Sequence, residues 1–187
     1  MVQLSDRSLT LKEFLQLPET QPASEYIDGQ IIQKPMPQGE HSTIQRDLTQ
    51  GIDGTLKPLK IARAFPELRC NFGGRSIVPD ISVFKSERIP RQENGRIANV
   101  FNLYPDWVIE ILSPDQSQTK VTRNILHCLK HGTEMGWSID PEESGVFVYR
   151  PNSTPDFFDE PQLVLPVPNF AIAVELTVEQ LFGWLMD

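Results

Sequence analysis

Two stretches of this chain pair a strand-forming pattern with a charge that a buried strand cannot easily carry. Ile77-Val-Pro-Asp-Ile-Ser-Val-Phe84 holds Asp80, and Trp107-Val-Ile-Glu-Ile-Leu112 holds Glu110. Both runs are otherwise short, β-branched and largely apolar, as strands inside a sheet are. Burying an ionised carboxylate costs on the order of several kcal/mol unless something pairs with it. The fold must therefore bring a counter-charge to each acid, or set the two acids side by side around one cation. The Glu110 run is apolar on both faces, which predicts a central strand. Pro79 has no backbone donor, so an edge or a bulge is expected beside Asp80, with the strand continuing through the acid.

A chain of 187 residues accommodates a full core in one domain, expected to span 1–187. With 39% hydrophobic and 22% charged residues, the composition excludes disorder. No apolar run approaches the roughly 20 residues of a membrane span, and the N-terminus shows no secretory pattern. A cytoplasmic protein with no membrane partner is the expectation. Cys70 and Cys128 fit no zinc or redox spacing and read as two buried free thiols. The net charge of −8 counts against a nucleic-acid partner, although it does not describe local patches, and metal-binding carboxylates would themselves contribute to it.

The element pattern is mixed. Thr10 with Glu13 forms a capping box for a short helix over 11–15. Asp28-Gly29 is a two-residue hairpin turn between apolar runs at 25–27 and 30–32. A helix starting near His41 carries Ile44, Leu48, Ile52 and Leu56 on one stripe. Strands are expected at 61–72 and 76–84 around Gly73-Gly74, then an exposed connection over 85–99 and a strand at 106–112. A helix from Ser117 to His131 ends at Gly132. Strands near 134–140 and 146–150, a proline-rich loop over 151–168 and a helix opened by the Thr177–Gln180 box complete the chain. The expected fold class is α+β, with a sheet flanked by helices.

Asp80 and Glu110 are the leading chemical candidates. A turn aspartate and a glutamate that is protonated or paired with arginine are the plain structural alternatives. A hard divalent ion such as Mg²⁺ takes one or two carboxylates and keeps several waters, so it would satisfy both acids together. Bound there, it would lower the pKa of water and neutralise charge on a phosphoryl group.

Val78-Pro-Asp-Ile-Ser-Val83, Glu110-Ile-Leu-Ser-Pro114, Gly132, Trp137 and Ile139-Asp-Pro141 occur in an order that resembles the Uma-type restriction endonuclease family. Glu25-Tyr-Ile-Asp-Gly29 and His41 match its opening motif, so the resemblance runs over roughly residues 10 to 185. It implies a restriction-endonuclease-like mixed sheet of the PD-(D/E)XK superfamily. It also implies Asp80 and Glu110 as metal ligands for Mg²⁺, with Mn²⁺ as a substitute, and hydrolysis of DNA by a homodimer. The superfamily lysine two residues after the glutamate is replaced by Leu112, and the lysine that relatives carry in the next helix aligns with Asn124.

Lys120, one turn before Asn124 on the same helical face, is the candidate for the missing ammonium, with a solvated surface lysine as its alternative. Arg123 points about 100° away. His41 is a candidate proton carrier or phosphate contact; Glu40, Glu25 and Asn124 are weaker candidates, Glu40 being equally at home as a helix-start acid. His127 and His131 have the spacing of a zinc pair, but Cys128 stands where a metalloprotease glutamate is needed, which favours an exposed helix face. The missing lysine and the acidic surface leave open a catalytically impaired module that binds nucleic acid or protein. A metal-free glycosidase with two carboxylates lacks the sugar-stacking aromatics. Phe157, Phe158 and Phe170 are candidates for a dimer surface.

Overall fold

The apolar runs are held in two sheets, and the chain crosses from one to the other beside Asp80. The computed structural model describes residues 9–114 and 116–186. A helix α1 (Leu11–Phe14) leads into the hairpin β1 (Ser24–Ile27) and β2 (Gln30–Gln33). Helix α2 (Gly39–Leu56) follows, then β3 (Ala62–Pro66), β4 (Cys70–Phe72), β5 (Arg75–Ile77) and β6 (Ile81–Lys85). After β7 (Trp107–Ile111) come α3 (Gln118–His131), β8 (Met135–Asp140), β9 (Gly145–Tyr149), β10 (Asp156–Phe158) and α4 (Val178–Gly183).

The smaller sheet has the order β2-β1-β5-β4 and the larger β10-β9-β8-β7-β6-β3. Only β7 and β8 run parallel in the larger sheet, and α3 makes the crossover between them, as a parallel pair requires. The period-2 alternation of β7 then assigns its faces. Trp107, Ile109 and Ile111 pack with Ile44, Leu48 and Ile52 of α2 and Leu181 of α4. Val108 and Leu112 pack with Val121, Ile125 and Cys128 of α3 on the opposite face. The fold is thus an α+β mixed sheet with helices on both sides, and Glu110 lies on the α3 side.

Both capping boxes form as expected, and the Asp28-Gly29 turn has positive φ at both residues. The strands expected at 61–72 and 76–84 are each divided in two. The first breaks near Glu67, whose φ is +47°. The second breaks at Val78-Pro79-Asp80, because a residue without an N–H cannot continue a ladder and the chain there leaves the small sheet for the large one. Asp80 therefore sits in the joint between β5 and β6 rather than within a continuous strand. The proline-rich loop contains the unexpected edge strand β10, which pairs with β9. Phe158 and Phe170 pack against the core, leaving Phe157 as the exposed member of the three aromatic residues expected on a dimer surface. Cys70 and Cys128 are buried free thiols. No helix among the described residues is long and apolar enough to cross a membrane.

Candidate functional site

The break at Pro79 brings the two acids together. β6 and β7 are antiparallel with Ile81 opposite Ile109, so one further step of that register places Asp80 opposite Glu110. No strand continues there. Instead the Asp80 carboxylate takes over the ladder's role: its Oδ2 accepts from the backbone N–H of Ile111 at 2.7 Å, and the Asp80 N–H lies 3.4 Å from Glu110 Oε2. Gln45 of α2 donates its side-chain amide to the Asp80 carbonyl at 2.9 Å, tying the joint to the helix. The two carboxylates are 1% and 2% exposed, so both are in the interior.

Three further groups converge on them. Lys34, directly after β2, places Nζ 2.6 Å from Asp80 Oδ1 and 3.9 Å from Glu110 Oε2, and donates to the Val78 carbonyl at 2.7 Å. His41, in the first turn of α2, holds Nε2 3.2 Å from Asp80 Oδ2. Glu25 comes from the small sheet, where it accepts from the Val78 N–H at 2.8 Å and from the Asn124 amide at 3.3 Å.

The carboxylates answer this environment in opposite ways. Burial pushes the Asp80 pKa up, but the charge of Lys34 and the hydrogen bond and charge of His41 outweigh it and hold Asp80 below the usual range. Burial pushes Glu110 well above its usual range; Lys34 opposes this, while Asp80 and Glu25 reinforce it. Glu25 is likewise raised, mainly by burial and against the pull of Lys34. Burial opposes the charged form of Lys34, yet Asp80, Glu110 and Glu25 together keep its pKa raised. One buried ammonium thus faces three buried carboxyl groups, with Asp80 held ionised and Glu110 and Glu25 pushed toward their neutral forms.

Among the described residues, Glu110 Oε1 and His41 Nδ1 are buried without a hydrogen-bond partner. An unpartnered carboxylate oxygen beside a second carboxylate suits a hard cation that completes its shell with water. No cluster of three or more His, Cys, Asp or Glu among the described residues has the arrangement of a metal site. The donors that such an ion would find here are the Asp80 and Glu110 carboxylates, with Glu110 Oε1 as the unpartnered oxygen.

The other candidates are distributed as follows. Asn124 is buried against Glu25, on the α3 side of the site. Lys120 is exposed and lines a groove of about 420 Å³ together with Lys34, Glu25, Arg123 and Asn124. Glu40 is exposed and borders a different cavity with His41, Asp140 and Glu142. His127 does not lie on an exposed helix face: its ring stacks on Phe72 with centroids 4.8 Å apart and its Nε2 meets the Phe72 carbonyl. Sequence reasoning missed Lys34. Its partner Asp80 lies 46 positions away, so no local spacing marks it. The usable signal was electrostatic, since buried acids demand a buried cation and Lys34 directly follows the hairpin.

The chain is similar to known proteins over most of its length. The family model Uma2, described as "Putative restriction endonuclease", matches residues 11–179. A solved structure described as a putative nuclease belonging to DUF820, from Anabaena variabilis, is 66% identical with a TM-score of 0.94, covering 95% of this chain and 99% of that one. No curated protein sequence matches the chain.

Proposed function

This chain belongs to the Uma2 family, and on that premise we propose that it is a metal-dependent endonuclease hydrolysing DNA phosphodiester bonds. The observation that carries the reading is the juxtaposition of Asp80 and Glu110, with a buried Glu110 oxygen left unpartnered. Those two side chains would hold Mg²⁺ or Mn²⁺. When bound, such an ion supplies Lewis acidity toward phosphate and a lowered pKa for water.

The chain's own groups supply orientation. The Ile111 N–H and His41 clamp Asp80 Oδ2, so the carboxylate cannot rotate away from Glu110. His41 holds Asp80 through Nε2, and its second ring nitrogen, Nδ1, is buried beside the site without a hydrogen-bond partner. Lys120 and Arg123 put positive charge along the groove, which suits a phosphate backbone despite the net charge of −8. A homodimer acting on both strands belongs to the same reading, and light scattering at twice the chain mass tests it.

The decisive experiment is nicking of supercoiled plasmid in Mg²⁺ and in Mn²⁺. Wild type is expected to nick, and Asp80→Ala and Glu110→Ala to lose at least about a hundredfold in rate. Equal behaviour of wild type and both variants in every ion would remove the catalytic assignment. The second reading, a binding module, is motivated by Asn124 at the position where relatives carry lysine; it would be favoured by DNA binding with no divalent-ion affinity in calorimetry.

A further inference from the structure

Lys34 lies where a cation would be expected to bind. Its ammonium is 2.6 Å from Asp80 Oδ1 and 3.9 Å from Glu110 Oε2, on the same two carboxylates that would hold a divalent ion. Its side chain is only 12% exposed, yet it also lines the groove that carries Lys120 and Arg123. The ammonium is a compact charge on a flexible four-carbon stem, so it can change partner with little backbone movement. Two positive centres cannot share these oxygens without strong repulsion. Asn124 donates to Glu25 and carries no charge, and Lys34 is the cationic side chain that among the described residues pairs with Glu110.

We propose that Lys34 is a displaceable counter-ion of this site and, once displaced, its substrate-contacting ammonium. Without a divalent ion it neutralises Asp80 and keeps the paired carboxylates folded. With the two carboxylates engaged by a divalent ion, the ammonium would be released to turn into the adjoining groove, where it would contact a non-bridging oxygen of the phosphate being cut. The inference rests on the metal-dependent reading above and adds to it a competition between a side chain and an ion for the same two carboxylates.

The test compares wild type with Lys34→Met and with Lys34→Gln, which keeps a donor without the charge. Mn²⁺ affinity by calorimetry is expected to rise at least about tenfold in both variants, because the competing charge is gone. Melting temperature in chelator should fall in both and recover on adding Mn²⁺ to a larger extent than in wild type. Plasmid nicking should drop by roughly a hundredfold at saturating Mn²⁺, through kcat. A lysine with a purely structural role would lower the melting temperature without tightening ion binding, and that result overturns the proposal while leaving the metal-dependent reading intact. If neither wild type nor the variants bind Mn²⁺, both fail together.

Discussion

Asp80 and Glu110 are nearly the same chemical group under opposite demands, and their substitution should show it. Asp80 is ionised against Lys34, so Asp80→Ala leaves a buried ammonium without its nearest partner. Breaking a buried pair from one side costs about 3–5 kcal/mol, and urea unfolding in chelator should show a loss of that size. Glu110 is pushed toward its neutral form by burial and by its acidic neighbours. Glu110→Gln should therefore unfold within about 1 kcal/mol of wild type in chelator, or later, while nicking is lost. If Glu110→Gln destabilised the protein as much as Asp80→Ala, the unequal sharing of Lys34 would be wrong.

At the scale of single elements, α3 is the most exposed to test. It ends at Gly132, whose φ is +119°, and a Cβ there would come within 2.5 Å of the Tyr104 hydroxyl. Gly132→Ala combines left-handed strain with that clash and should cost more than about 1 kcal/mol in chemical denaturation. The same helix carries His127, whose pKa is pushed down to about 4 by burial, with the charges of Arg75 and His131 adding to the effect against the Phe72 carbonyl and Asp28. The unfolded chain then binds a proton more readily than the folded one between the ordinary value of about 6.5 and that lowered value. Stability contributed by neutral His127 is present above this window and is lost as pH falls through it. A scan of melting temperature from pH 7 to pH 4 should show a smaller decline in His127→Phe than in wild type.

For the whole molecule, the question is how a chain of net charge −8 would hold a polyanion. The groove answers it locally, with Lys120 and Arg123 on its wall. Each phosphate contact contributes about one unit to the slope of log affinity against log salt, so the Lys120→Ala, Arg123→Ala double variant should lower that slope by about 2 in DNA-binding anisotropy.

The elements were legible because their causes are local. Both capping boxes, the Asp28-Gly29 turn, the α2 stripe and the Gly132 cap depend on residues a few positions apart. The sheet joint at Pro79 was legible only in part: the missing donor was visible, but a switch between sheets depends on which partners lie on either side. β10 was hidden because an edge strand exposed on most of its surface has no buried face to impose alternation. The chain by itself pointed to two carboxylates carried into the interior, since each is flanked by an apolar, β-branched run, although a turn aspartate was an equally local reading of Pro79-Asp80. Only the tertiary structure decided that Lys34 would meet them, because a charge pair across 46 residues is set by the packing of the hairpin against the joint and leaves no periodic trace in the sequence.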